Sequence, residues 1–103
     1  MKIARWQFTA EFGRKQEAIE LMEEWNEQIG SQTNIDMSNM RLVTGSVGAS
    51  EGLVESEMEI ENLQDLEDFF TKISSIQMHA DWGPKMGDVI VSGSTRWEVF
   101  NVL

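Results

Sequence analysis

The sequence predicts an α+β fold in the order β-α-β-β-α-β, an antiparallel sheet with two helices on one face. Three observations predict it. Apolar and polar residues alternate from Ala4 to Ala10 and from Val54 to Glu61, the period of a strand with one buried face. After each of these stretches the period changes to that of a helix. Each helical stretch also carries a single apolar stripe, and one sheet face can cover both.

In the first strand Ala4, Trp6, Phe8 and Ala10 point one way, and Arg5, Gln7, Thr9 and Glu11 point the other; Gly13 ends the run. From Arg14 to Ile29, Ala18, Leu21, Met22, Trp25 and Ile29 fall at helical spacing against Glu17, Glu20, Glu23, Glu24 and Glu27. Gly30 is expected to close that helix in the left-handed conformation, and the polar residues Ser31 to Asn39 form a loop. Strands are expected over Met40–Gly48 and Leu53–Glu61, joined through Ala49-Ser50-Glu51-Gly52. In the second, Val54, Ser56, Met58 and Ile60 share one face while Glu55, Glu57, Glu59 and Glu61 share the other. Four glutamates in a row repel one another, so Arg5, Arg41 and Arg96 on other strands are their candidate partners. Asn62 is placed to cap a second helix, with Asp65 three residues on as in a capping box. Leu66, Phe69, Phe70, Ile73 and Ile76 form its stripe, and Lys72 suits its later half. This helix is expected to run through Met78 and His79 towards Trp82 and to end at Gly83-Pro84. A short strand-like run, Asp88–Val91, a bend at Ser92-Gly93-Ser94 and a final strand, Thr95–Leu103, complete the chain. The order is that of a ferredoxin-like sheet. Its open face carries apolar groups, because Phe100 and Val102 alternate with Trp97 and Val99, and this predicts a second subunit.

Composition limits the function. The 103 residues, 41% apolar and without cysteine, suit one domain spanning 1–103 and exclude a disulfide scaffold. No apolar run is long enough to span a membrane. Met1-Lys2-Ile3-Ala4-Arg5-Trp6 lacks the apolar stretch of a signal peptide, so a cytoplasmic location is expected. A net charge of −10 repels nucleic acid and anionic lipid, so neither is an expected partner. Between Glu51 and Thr71 lie eight acids and no Lys or Arg, a solvated face or a docking surface for a basic partner.

Few residues carry chemistry. His79, the only histidine, is the one side chain with an ordinary pKa near neutrality and the candidate general base; the helix dipole alone also favours a histidine at a helix C-terminus. Trp6, Trp25, Trp82 and Trp97 suit a core, an interface or an aromatic-binding cavity. Trp25 falls on the helix stripe, and Trp82, beside Asp81 and Gly83-Pro84, is expected at a pocket mouth. Gly45, Gly48 and Gly52 read as turn and bulge residues, since no strand-to-helix transition follows them as a phosphate loop requires. One histidine and no cysteine leave no zinc site of the usual kinds, and no metal is expected.

The chain resembles the dimeric α/β-barrel superfamily, in which two ferredoxin-like protomers pack sheet to sheet. The resemblance is carried by the opening Glu11-Phe12-Gly13-Arg14-Lys15 before a glutamate-rich helix, by Phe69-Phe70 followed by Met78-His79, and by the last strand, Arg96-Trp97-Glu98-Val99-Phe100. It implies a homodimer and a cavity between helices and sheet, similar to antibiotic-biosynthesis monooxygenase-like and stress-responsive members. In haem-degrading members a histidine late in the second helix ligates iron, beside an asparagine on the first strand and a tryptophan on the second helix. His79 matches the histidine, whereas Gln7 and Phe69 or Phe70 stand in the other two places, so haem is disfavoured and no cofactor is expected. Gln7, Phe69, Phe70 and Trp82 are thus the candidate ligand-binding residues beside His79. Three functions follow: binding of a small apolar or aromatic molecule, cofactor-independent oxygenation or polyketide cyclisation with His79 as base, and an acidic protein-interaction module.

Overall fold

The computed structural model describes residues 1–103. Strand β1 (Lys2–Thr9) leads to helix α1 (Lys15–Gln28), and two short 3-10 turns follow, Gly30–Gln32 and Met37–Asn39. Then come β2 (Arg41–Thr44), β3 (Leu53–Ile60), α2 (Leu63–Ser74), α3 (Gln77–Gly87) and β4 (Arg96–Asn101). The sheet order is β2-β3-β1-β4 with every neighbouring pair antiparallel. No helix is long and apolar enough to cross a membrane.

The alternation in β1 and β3 sorts the two sheet faces. Ala4, Phe8, Val54, Met58 and Ile60 are buried on the inner face, against Ala18, Met22, Trp25 and Ile29 from the first helical segment and Phe69, Trp82 and Met86 from the later helices. The outer face carries the charges. Glu57 is buried there, with Arg5 Nε 2.8 Å from its Oε1 and Arg41 Nε donating to its Oε2 at 2.8 Å. Gln7 donates to Glu98 at 2.7 Å and to Glu55 at 3.2 Å, and the Arg5 guanidinium lies 4.6 Å from the Phe100 ring centre. Arg5 and Arg41 therefore relieve the glutamate row, because the register sets Glu57 opposite both. Arg96 reaches Glu98 instead.

Several expectations are corrected. The second helical segment is two helices, because Ile76 adopts an extended conformation (φ −98°, ψ 113°) between them. Ile73, Ile76 and His79 keep the i, i+3 spacing across the break, which hides it in the sequence. Pro84 lies inside α3 rather than ending it. His79 is consequently in the first turn of a helix, not at a C-terminus. The capping box does form: the Asn62 side chain accepts from Asp65 N–H at 3.1 Å, and Asp65 Oδ2 accepts from Asn62 N–H at 3.4 Å.

Gly30 has no positive φ and starts a 3-10 turn instead of closing α1 in the left-handed region. A Cβ there would sit 2.5 Å from Met37 Cε and 3.1 Å from the Trp25 ring, so a side chain at this position requires the flexible end of Met37 to move aside. Strand β2 stops at Thr44, ahead of Gly45, where a Cβ would overlap the Ser50 carbonyl oxygen at 1.6 Å. The run Asp88–Val91 contributes only the isolated bridge Ala10–Ile90, and β4 is shorter at both ends than Thr95–Leu103.

Candidate functional site: an aromatic cavity between helices and sheet

The register lays Leu42, Ser56, Trp6 and Trp97 in one row across the inner face, one residue from each strand. Above this row the helices do not close. They leave a cavity of about 290 Å³ whose floor includes Trp6, Ser56 and Trp97. Helix α1 supplies Met22 and Trp25, α2 supplies Phe69, Phe70 and Ile73, α3 supplies His79 and Trp82, and Met40 lies just before β2. All four tryptophans of the chain face this one space.

The rings are arranged mainly edge to face or tilted, as ring quadrupoles favour. Phe69 and Phe70 meet Trp97 at centre distances of 6.1 and 5.2 Å, and Trp25 meets Phe69 at 5.9 Å. The exception is His79, which stacks on Trp82 at 5.8 Å with 23° between planes. Two indoles are tied down: Trp82 Nε1 donates to the Leu21 carbonyl at 2.9 Å, and Trp25 Nε1 donates to His79 Nδ1 at 3.0 Å.

Only Ser56 and His79 bring polar side chains of other kinds to this lining. Ser56 is 5% exposed, and its hydroxyl makes no hydrogen bond within the protein. Burial among rings lowers the His79 pKa below its ordinary 6.5 by desolvating the charged form. Its place in the first turn of α3 acts in the same direction, since the positive end of a helix disfavours an imidazolium.

Of the residues singled out from the sequence, His79, Phe69, Phe70 and Trp82 are brought together here. Trp82 is buried rather than at a mouth. Gln7 does not join them: it lies on the outer face, bonded to Glu55 and Glu98, because odd-numbered residues of β1 point away from the helices. Trp6, Trp25, Trp97 and Ser56 were not selected from the sequence as ligand contacts. Ser56 had a signal, as the one hydroxyl among Val54, Met58 and Ile60 on the buried face of β3.

No protein-family model matches the sequence, and no curated protein matches it either. Solved structures do. A NIPSNAP family protein from Agrobacterium tumefaciens is 18% identical, over 99% of this chain and 92% of that one, with a TM-score of 0.79. An antibiotic biosynthesis monooxygenase is 10% identical, over 100% and 99%, with a TM-score of 0.70. SnoaB from Streptomyces nogalater, a cofactor-independent oxygenase, is 7% identical, over 98% and 91%, with a TM-score of 0.69. The chain has a ferredoxin-like fold, shared with these structures. At such identities the likeness is one of fold, and fold does not carry an activity with it. Within the ferredoxin-like frame, the aromatic cavity belongs to this chain's own residues.

Proposed function

We propose that this protein binds a small apolar or aromatic molecule in the cavity between its helices and sheet. The observation that carries the reading is the convergence of six aromatic side chains and one imidazole around about 290 Å³. Pockets for small organic ligands have this character, an apolar lining with a few placed polar groups. The site is proposed to work without haem: Gln7, one of the three positions that the haem-degrading pattern would use, lies across the sheet from His79. All four tryptophans line the site, so an occupant should alter intrinsic fluorescence. The test is titration with tetralin, a bicyclic hydrocarbon with no polar atom, followed by calorimetry and fluorescence. Saturable binding at one site per chain is expected, and Ser56→Phe, which fills the cavity from its floor, should abolish it. No saturable signal from tetralin or from its ketone 1-tetralone up to their solubility, or equal binding by Ser56→Phe, overturns the reading.

A second reading takes the same cavity as a site of cofactor-independent oxygenation, with His79 as general base. The lowered pKa of His79 favours it, and the hydrogen bond that holds Nδ1 as an acceptor from Trp25 counts against it. Oxygen uptake with a phenolic or polyketide-like aromatic substrate that is lost in His79→Ala, with the fold retained, is its test; unchanged uptake overturns it.

The acidic docking surface is the less favoured reading, although Glu51, Glu59, Glu61, Glu67 and Asp68 are exposed. Glu57 is buried between Arg5 and Arg41, and Glu55 is engaged by Gln7, so half of the strand's glutamates are not free for a partner. We also propose a homodimer through the outer sheet face and β4, where Phe100 and Val43 are exposed beside the paired charges. Sedimentation equilibrium at micromolar concentration should give a dimer, and a monomer would overturn that proposal.

A further inference from the structure

We infer that Trp25 holds His79 as an Nε2–H hydrogen-bond donor, and that His79 and the Ser56 hydroxyl together select an aromatic ligand bearing an acceptor oxygen, such as a planar ketone or quinone. The inference deepens the ligand-binding reading and rests on it.

An asymmetry between the two rings as donors decides the tautomer. An indole N–H only donates, whereas each nitrogen of a neutral imidazole does one of two things. Trp25 Nε1 lies 3.0 Å from His79 Nδ1, so Nδ1 is the acceptor and carries no proton. The one proton of the neutral ring is then on Nε2. Turning the ring over would set Cδ2–H against the indole N–H, so the same bond orients the ring as well as choosing its tautomer. Both neighbours that hold the imidazole are themselves fixed. Trp25 is 5% exposed in the core, and Trp82, on which the imidazole stacks, is anchored to the Leu21 carbonyl.

Nε2–H has no partner within the protein, and neither has the Ser56 hydroxyl, although Ser56 is buried and lines the same space. No carboxylate or carboxamide side chain lines the cavity to accept from either of them. An occupant that supplies an oxygen acceptor satisfies a donor that a hydrocarbon leaves unpaired, and this is the kind of site that discriminates between near-isosteric ligands. Burial keeps the imidazole neutral at neutral pH, so it is the tautomer that decides what Nε2 offers. The opposite tautomer, which a base acting through Nε2 requires, would put a second N–H at Nδ1, 3.0 Å from the indole nitrogen.

The test compares tetralin with 1-tetralone, which differ by one carbonyl, in calorimetric titrations of the full chain. The ketone should bind about tenfold more tightly, the worth of one hydrogen bond in a desolvated site. Nitrogen-15 NMR of the imidazole should show the Nε2–H tautomer in the free protein. Trp25→Phe, which removes the indole donor, should yield a mixture of tautomers and lower the ratio of ketone to tetralin affinity. Neither the probe pair nor the tautomer measurement on the unmodified protein depends on that variant folding. Equal affinity for the two probes, or an Nδ1–H tautomer, overturns this inference and leaves binding itself standing. If neither probe binds, the binding reading falls and the selectivity with it.

Discussion

Exchanging Glu57 for glutamine is expected to destabilise the protein by about 2 kcal/mol. The Glu57 side chain is 10% exposed and faces a guanidinium at each oxygen. The Arg41 arm is a directed hydrogen bond of 2.8 Å, but the arginine is 72% exposed, so it contributes roughly 0.2–1 kcal/mol. The Arg5 arm has the same length and a partner only 33% exposed. Its Nε–H is buried and not aimed at the carboxylate oxygen, so the contact is an ion pair, worth about 1–2 kcal/mol in this half-buried setting. Glutamine keeps the volume, loses the charge and turns an NH₂ donor towards one of the two guanidinium groups. The assay is urea unfolding followed by tryptophan fluorescence at fixed protein concentration. With a slope of roughly 1–2 kcal/mol per molar urea, the midpoint should fall by about 1–2 M. Glu59→Gln is the control, because Glu59 is exposed and unpaired; it should change stability by less than about 0.5 kcal/mol. Added salt should weaken the exposed Arg41 arm more than the Arg5 arm, leaving most of the difference in place. Equal midpoints for the two variants would refute the claim that the glutamate row is stabilised through Glu57.

Two further outcomes follow from the geometry. The folded-state pKa of His79 lies below the 6.5 of the unfolded chain, so the unfolded state binds more protons between those values. The contribution of neutral His79 is therefore fully present above about 6.5 and is lost as pH falls from there through the folded value. The stability difference between the wild type and His79→Gln should shift in that direction between pH 7.5 and 5, and a flat difference would contradict it. Asn62→Ala removes the side-chain half of the capping box, the 3.1 Å bond from Asp65 N–H. A loss of about 1 kcal/mol is expected, visible as a melting temperature lower by roughly 4–8 °C; an unchanged melting curve would show that α2 is held by packing alone.

The strands and α1 were legible because one chemical contrast, apolar against polar, repeats at the period of the element. Met58 and Glu57 needed no neighbours to declare their faces. The break between α2 and α3 was not legible, because Ile76 is apolar whether it continues a helix or caps one in an extended conformation. That misreading moved His79 from one end of a helix to the other and reversed the expected effect of the helix dipole. The cavity was half legible. Phe69, Phe70, His79 and Trp82 stood out by type, but their meeting with Trp6 and Trp97 depends on the register between β1 and β4, a pairing of residues some ninety positions apart. Gln7 was selected through the family pattern against the alternation of its own strand, and the alternation decided where it lies.

The central place of β1 in the sheet also governs how the chain assembles during synthesis. Its two neighbours, β3 and β4, are both made later, and the register joins Lys2 to Ile60 on one side and to Asn101 on the other. Translation takes roughly 5–20 s to pass from the first of these residues to the last, at a typical ~5–20 residues per second. Until β4 has been made, Trp6 and Phe8 lack at least one of the strands that flank them in the finished sheet. A nascent chain stalled before β4 therefore presents an unpaired β1 edge and an aromatic surface together. Shielding by a ribosome-associated chaperone should matter more for this topology than for a helical bundle of the same length, whose contacts form between neighbours as they emerge.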